Sequence, residues 1–249
     1  MIIVNEKLLA EIIKNGKNIV FFGGAGMSTE SGIADFRSEN GLYRTAYGYH
    51  YPPEVMLSHS FFISHTADFF QHYKDKMIST TALPNPGHKA LAALELNGRL
   101  KAVVTQNIDG LHQLAGSRNV YELHGSVHRN FCTKCKNFYD LEYILQSDTI
   151  PTCSVCGGIV KPDVILYEEA LDDNVVRAAV KAIKEADVLI IGGTSLVVYP
   201  AAGLINYFKG SKIVLINKST TPYDSKADLV INDSVGKVLS SAVDLLSIK

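Results

Sequence analysis

The sequence predicts an α/β fold in which a doubly wound parallel sheet carries most of the chain and a smaller second domain is set into it. Three observations predict it. Short apolar runs rich in β-branched residues alternate with amphipathic helical stretches from one end of the chain to the other, the pattern of parallel strands joined by crossover helices. Several of these runs open into glycine or small polar turns, at 23–26, 105–109 and 192–195, and ligands collect at the carboxyl ends of such strands. Four cysteines form two Cys-x-x-Cys pairs within 132–156, which marks off a compact module of its own.

At 249 residues, 47% hydrophobic and 20% charged, the chain is long enough for one large domain and a small one. Twenty-four Lys and Arg against 25 Asp and Glu give a formal charge of -1, so there is no basic field for nucleic acid or anionic lipid, and no direct nucleic-acid partner is expected. No apolar run approaches the roughly 20 residues of a membrane span, and residues 1–5 lack the charged start of a signal peptide. No membrane association is expected, and the expected compartment is the cytoplasm.

Taken in order, residues 6–14 place Leu8, Leu9, Ile12 and Ile13 on one helical face, and Gly16 stops the helix. Residues 18–22 form the first buried strand. It runs into Gly23-Gly24-Ala25-Gly26-Met27-Ser28-Thr29, the strand, glycine turn and helix order of a dinucleotide phosphate loop, where glycines admit a pyrophosphate and a helix start supplies N–H donors. Thr29 stands where the usual fingerprint has its third glycine, so an ordinary glycine-rich turn is the alternative. Asp35, Phe36 and Arg37 follow, an acid, an aromatic able to lie against a flat ring and a guanidinium suited to phosphate.

Residues 38–83 read as an inserted helical module with helices at 53–64 and 67–77. His88 reads as a helix-start residue before a helix over 89–96. The strand 100–104 hands over to Thr105-Gln106-Asn107-Ile108-Asp109. Two amides and a carboxylate there can bond a sugar or a carboxamide but contribute nothing to a core. The alternative is a helix cap, with Asn107 or Asp109 starting a helix over 110–115. A strand over 119–123 delivers His124-Gly125 to a second strand end. Further on come a strand at 161–166, a helix at 172–184, a strand at 188–191 opening into Gly192-Gly193-Thr194-Ser195, a strand at 213–216 ending in Asn217, and a strand at 229–231 before the last helix.

Cys132-x-x-Cys135 and Cys153-x-x-Cys156, with 17 residues between the pairs, have the spacing of a four-thiolate structural zinc site. That spacing argues for metal over disulfides.

Gly24-Ala-Gly-Met-Ser-Thr-Glu-Ser-Gly-Ile-Ala-Asp-Phe-Arg37, Thr105-Gln-Asn-Ile-Asp109, His124-Gly125, the paired Cys-x-x-Cys and Gly193-Thr-Ser195 occur together in this order. The ordered set resembles the sirtuins, NAD-dependent protein lysine deacylases, and covers nearly the whole chain. The resemblance implies a Rossmann-like domain from segments 1–37, 84–125 and 160–249, and a small domain made of the helical module 38–83 and a zinc ribbon at 126–159. NAD and acyl-lysine would meet between them. Gly24, Ala25, Ser28, Thr29, Asp35, Phe36 and Arg37 would hold NAD, with Arg37 near phosphate and Phe36 over the reacting ribose. Gln106 and Asn107 would order that ribose, Ile108 and Asp109 would grip the nicotinamide carboxamide, and Gly193, Thr194, Ser195, Asn217 and Val235 would receive the rest of the dinucleotide.

The implied chemistry consumes NAD: the acyl oxygen attacks C1′ as nicotinamide leaves. His124, with Asn107 and Asp109, would form the catalytic set, the imidazole acting as general base on a ribose hydroxyl. Products would be nicotinamide, free lysine and O-acyl-ADP-ribose. Acyl-lysine protein or peptide would add as a strand between Ile165, Leu166, Tyr167 and Glu168 on one side and Leu196, Val197 and Val198 on the other. Mono-ADP-ribosyl transfer to protein from the same NAD site is the alternative activity, and a non-catalytic zinc-ribbon module the alternative class. Two positions depart from the family pattern: Ala34 replaces a Pro, and Tyr167-Glu168-Glu169 stands for Phe-Gly-Glu. Phe70 and Tyr73 fall where desuccinylating relatives carry a Tyr and an Arg, so neutral acyl groups are the expected substrates, with Lys76 the nearest cation.

Overall fold

A computed structural model describes residues 4–36, 41 and 51–248. The helices are α1 (Val4–Asn15), α2 (Pro53–Met56), α3 (His59–Ser64), α4 (Thr66–His72), α5 (Pro86–Leu96), α6 (Leu111–Leu114), α7 (Leu141–Gln146), α8 (Asp173–Glu185) and α9 (Val235–Asp244). The strands are β1 (Ile19–Gly23), β2 (Leu100–Thr105), β3 (Val120–Glu122), β4 (Gly125–Cys132), β5 (Phe138–Tyr139), β6 (Val160–Val164), β7 (Val188–Gly192), β8 (Lys212–Ile216) and β9 (Leu229–Ile231).

Six strands form one parallel sheet in the order β3-β2-β1-β7-β8-β9. Its central strands are buried on both faces, which explains why they read as continuous apolar runs. Along β1, Ile19 and Phe21 face a layer of α1, α5 and α9, with Leu9, Ile13, Leu91, Leu94 and Leu239. Val20 and Phe22 face the opposite layer, where Ala179 and Ile183 of α8 pack with Leu204 and Ile205 of a 3-10 helix, Ala201–Tyr207. Truncating a buried Phe such as Phe21 to Ala would cost about 3–5 kcal/mol.

Strand order reverses between β1 and β7. The first connections carry the chain toward β3, the later ones toward β9. The loops after β1 and β7 therefore diverge and leave a crevice at their carboxyl ends, the switch point where open α/β sheets bind ligands.

The second body is built around a three-stranded antiparallel sheet, β5-β4-β6. The strand expected at 161–166 as part of the parallel series is β6 of this sheet, running against β4. Its burial alternates, with Val160, Pro162 and Val164 inside and Lys161 and Asp163 half-buried, as befits a sheet with one solvated face. Phe61, Phe62, Phe69, Phe70 and Tyr73 from the helical module share a core with Val127, Tyr139, Ile144 and Val160. The helix expected over 53–64 is two helices, because Ser58 accepts a bond from the Phe61 amide at 3.1 Å and caps α3 afresh. That expected over 67–77 is α4 running into a π-helical turn, Tyr73–Met77.

Candidate active site

The crevice is built from four strand-end loops. Gly23 at the end of β1 pairs with Thr105 of β2 on one side and Gly192 of β7 on the other. Beyond the strands the two glycine loops stay in backbone contact: the Gly24 amide donates to the Gly192 carbonyl at 3.3 Å and the Gly26 amide to the Gly193 carbonyl at 2.8 Å. A Cβ on Gly26 would lie 2.7 Å from Gly193 Cα, and one on Gly193, held at φ +62, would lie 2.4 Å from the Met27 nitrogen. Only bare backbone fits at this approach. The chain then forms two 3-10 turns, Ala25–Met27 and Thr29–Ser31, instead of the α-helix expected after a phosphate loop. Thr29 turns its hydroxyl back to the Gly26 carbonyl at 3.0 Å.

Ser28, fully buried, ties this loop to the next. Its hydroxyl donates to Asp109 Oδ2 at 2.7 Å and accepts from Asn107 Nδ2 at 3.0 Å. The Asn107 amide nitrogen donates to Thr105 Oγ1 at 3.0 Å, and Asp109 Oδ1 accepts from the Leu111 amide at 2.9 Å. The N-cap of α6 is Gly110, not Asp109 or Asn107, and Asp109 holds the first amide of the helix from one position further back, while its other oxygen takes the Ser28 hydroxyl. Gln106 reaches across the sheet end, with Nε2 donating to Thr194 Oγ1 at 2.9 Å. Three segments distant in sequence are therefore linked through Ser28, Asn107, Asp109, Gln106 and Thr194. Ser195 is half-buried beside Thr194.

His124 sits at the turn between β3 and β4, and its Nδ1 lies 3.0 Å from the Gln106 carbonyl. A carbonyl can only accept, so Nδ1 carries the proton and Nε2 keeps its lone pair. Burial pushes the imidazole pKa below its ordinary 6.5, and the Gln106 carbonyl opposes that only in part. The ring is neutral near pH 7 and able to accept a proton at Nε2. Gly125 behind it adopts φ +77, and a Cβ there would fall 1.8 Å from the Asp163 carbonyl oxygen. No other residue can follow His124. Arg129 braces the same turn, with Nη1 2.6 Å from Glu122 Oε2 and Nε 2.8 Å from Asp163 Oδ2.

Phe36 and Ile108 both pack against the core of the small sheet and helical module, so these two expected contacts lie where that core meets the crevice. Asp35 is half-buried beside Phe36. Arg37 lies outside the described residues, as does Arg44. At the far end, Asn217 Nδ2 donates to the Ser219 carbonyl at 2.7 Å, which fixes the side chain with its oxygen still open to a donor. Val235 is buried against the end of β7, where a Cβ on Gly192 would come 2.8 Å from its Cγ1. Its side chain belongs to the core, so a nucleotide could meet only its backbone.

The two segments expected to hold a peptide flank the crevice. Ile165 is joined through its amide to the His124 carbonyl at 3.0 Å, and Tyr167 exchanges both backbone groups with Leu57 and His59, each at 3.0 Å. Leu166 is buried and donates to Glu169 Oε2 at 2.9 Å. Among the described residues, nothing pairs with the backbone N–H or C=O of Glu168 or Val197. Opposite, Leu196 adopts φ +56 with its amide on Thr194 Oγ1 at 3.3 Å, and the Val198 carbonyl accepts from Ala202 at 2.8 Å.

The four cysteine sulfurs lie within 4.8 Å of one another. Cys132 and Cys156 are 3.4 Å apart and Cys135 and Cys153 3.5 Å, a cluster that a tetrahedral ion with bonds of about 2.3 Å would fill. Amides of Lys134 and Cys135 point at Cys132 Sγ, and the Tyr139 hydroxyl donates to Cys153 Sγ at 3.1 Å, the outer bonds that orient thiolate ligands.

Sequence reasoning missed several supports. His128 closes over Gly110, with Nε2 donating to the Asp109 carbonyl at 3.1 Å. Asn85 caps α5 and also donates to the Met27 carbonyl at 2.7 Å, and Glu30 accepts from the Gly236 amide at 2.7 Å. The Asn85-Pro86 pair was the available signal, since Pro is favoured at the first helical position. His112 is wholly enclosed beside His88, their ring centres 4.7 Å apart.

Residues 24–200 match the model of the Sir2 family. The chain is 65% identical over 241 residues to an NAD-dependent protein deacetylase of Clostridium acetobutylicum, covering 96% of this chain and 98% of that one. It is 42% identical over 233 residues to an NAD-dependent protein deacetylase of Staphylococcus aureus, covering 94% and 96%. Among solved structures it superposes with a TM-score of 0.90 and 35% identity on a Sir2 variant holding a deacetylated p53 peptide and 3′-O-acetyl ADP ribose, over 99% of this chain and 100% of that one. A Sir2 homologue in complex with NAD gives a TM-score of 0.87 at 37% identity, over 96% and 93%. A family match across most of the chain, relatives aligned nearly end to end, and the strand-end crevice with its cysteine cluster all agree, and the chain belongs to the Sir2 family, the sirtuins.

Proposed function

We infer that this protein is an NAD-dependent protein lysine deacetylase that consumes NAD and releases nicotinamide, free lysine and O-acetyl-ADP-ribose. The observation that carries the reading is His124: a neutral imidazole, its Nδ1 proton committed to Gln106 and its Nε2 lone pair open, at the mouth of a crevice lined by Asn107 and Asp109. NAD supplies a ribose carbon activated by a good leaving group. The bare backbone of Gly24, Gly26 and Gly193 suits the close approach of its pyrophosphate. Asp109, its carboxylate held by Ser28 and Leu111, presents remaining lone pairs to a carboxamide N–H. Asn107, anchored through Nδ2, offers its oxygen to a ribose hydroxyl. Phe36 and Ile108 keep water from the reacting centre. His124 Nε2 takes a proton from a ribose hydroxyl, a step for which a neutral imidazole is required. Transfer of ADP-ribose to protein needs no deprotonated ribose hydroxyl, so a base placed for that proton favours deacetylation over it.

Acetyl-lysine peptide enters between Glu168 and Val197, whose open backbone groups supply strand pairing from either side. The large NAD-binding part comprises 1–37, 84–125 and 160–249 apart from β6, which pairs with β4 in the small sheet, and the small part comprises 38–83 and 126–159. Among the described residues no helix is long and apolar enough to cross a membrane. The near-neutral charge fits a protein acting on cytoplasmic proteins, without direct nucleic-acid contact. Mass spectrometry of an acetyl-, butyryl- and succinyl-lysine peptide pool, with and without NAD, tests the reading. Loss of acetyl groups only with NAD, together with a matching acyl-ADP-ribose, is expected; NAD-independent loss, or ADP-ribose on peptide, would overturn it.

A further inference from the structure

Glu168 stands where the family pattern has glycine, and its backbone behaves like one: φ is +75. That region disfavours any residue with a Cβ unless something else holds it there. Here the side chain does. The Glu168 carboxylate accepts from the Ser60 amide at 2.9 Å and from the Ser60 hydroxyl at 2.6 Å, at the start of α3. Those bonds hold the carboxyl below the usual Glu range. The neighbouring contacts run between the same two segments. Tyr167 pairs its backbone with Leu57 and His59, and Glu169 Oε1 lies 2.8 Å from His59 Nδ1 while Oε2 lies 3.1 Å from Lys161 Nζ. At its other end the segment is tied to His124 through Ile165. Within this stitched rim, nothing among the described residues pairs with the N–H or C=O of Glu168.

We propose that Glu168 is a positioning residue for the peptide substrate: its side chain clasps Ser60 of the helical module, and the clasp holds an otherwise disfavoured left-handed backbone whose peptide groups pair with the incoming strand. The proposal rests on the deacetylase reading for its substrate and assigns the chain a device that glycine cannot provide. A Glu released from Ser60 relaxes to negative φ and turns its pairing groups away. A glycine at the same place tolerates φ +75 without help.

This ranks a series of variants in a way that loss of a helix cap alone does not. Steady-state kinetics with one acetyl-lysine peptide, at saturating NAD, should show Glu168→Ala raising peptide KM about tenfold, a change worth about 1.4 kcal/mol. Glu168→Gly removes the same carboxylate yet should raise KM clearly less, and Ser60→Ala, which keeps the amide donor, should fall between the wild type and Glu168→Ala. The effect should appear in peptide KM, not in kcat or NAD KM, and peptide affinity by fluorescence anisotropy should follow the same order. Melting temperatures taken in parallel report the lost carboxylate, common to Ala and Gly, together with the left-handed strain that Ala alone would carry. Equal KM values for the Ala and Gly variants would overturn the proposal. Wild-type protein without NAD-dependent turnover would instead sink the deacetylase reading, while anisotropy would still report on the clasp.

Discussion

His88 and His112 make stability depend on pH in a calculable way. Both rings are buried, at 0% and 1% exposure, and burial pushes their pKa values from 6.5 down to about 4 and about 3. Asp109 pulls His88 upward without cancelling the effect, and His88 lowers His112 further. The folded protein thus keeps both rings neutral at a pH where the unfolded chain protonates them. Because the folded pKa values are depressed, this contribution is fully present above 6.5 and is lost as pH falls toward 4. Between about pH 7.5 and 5.5, an unfolded histidine goes from about 0.1 to about 0.9 of a proton while the folded one stays nearly empty, which removes about 1.4 kcal/mol per ring and about 2.7 kcal/mol for the pair. His72 and His124 are lowered too and act in the same direction, so the share of His112 is isolated by difference. Urea unfolding of the wild type and His112→Phe at the two pH values is the assay. The variant should lose about 1.4 kcal/mol less than the wild type on acidification, whatever its stability at pH 7.5. An equal loss in both proteins would refute the assignment of His112 as a ring kept neutral by burial.

Ser28→Ala should destabilise the protein by about 2–4 kcal/mol and depress turnover, because it removes a bond to a carboxylate and strands the Asn107 amide; urea curves superimposing on the wild type would contradict this. His124→Ala should cut deacetylation about 10²- to 10⁴-fold while calorimetry still registers NAD binding, and the acid limb of the wild-type kcat/KM profile should lie below pH 6.5; a midpoint above 6.5 would disagree with the buried ring. Metal analysis should find one zinc per chain, and either chelation or Cys156→Ala should lower the melting temperature and activity together, since thiolate ligation contributes folding free energy. Active protein free of zinc would rule that out.

What the sequence revealed and what it hid divide along physical lines. Parallel strands were legible because burial on both faces leaves a continuous apolar run, as in Val188 to Gly192. The cysteines were legible because two local knuckles carry the geometry of the whole site. β6 was misplaced although its signal was present: Val160-Lys-Pro-Asp-Val164 alternates, and alternation belongs to a half-solvated antiparallel strand. The break at Ser58 was likewise written as a cap residue inside an apparently continuous helix. The 3-10 turns after Gly24 could not be read locally, since they follow from the packing of Gly26 on Gly193, a contact between loops of neighbouring strands that are far apart in sequence.

Asp109 shows why the hidden part matters for function. From sequence, capping a helix and gripping a ligand were competing explanations of one carboxylate. In the structure the carboxylate is held at both of its oxygens. Oδ1 takes the Leu111 amide and so fixes the side-chain rotamer at the start of α6, while Oδ2 takes the Ser28 hydroxyl and so fixes the plane of the carboxylate relative to Asn107. Each oxygen keeps a further lone pair, and a carboxylate already held at both ends loses little conformational entropy when a ligand bonds to it. The orientation of this acid depends on a serine 81 residues away, which no local pattern around Asp109 discloses.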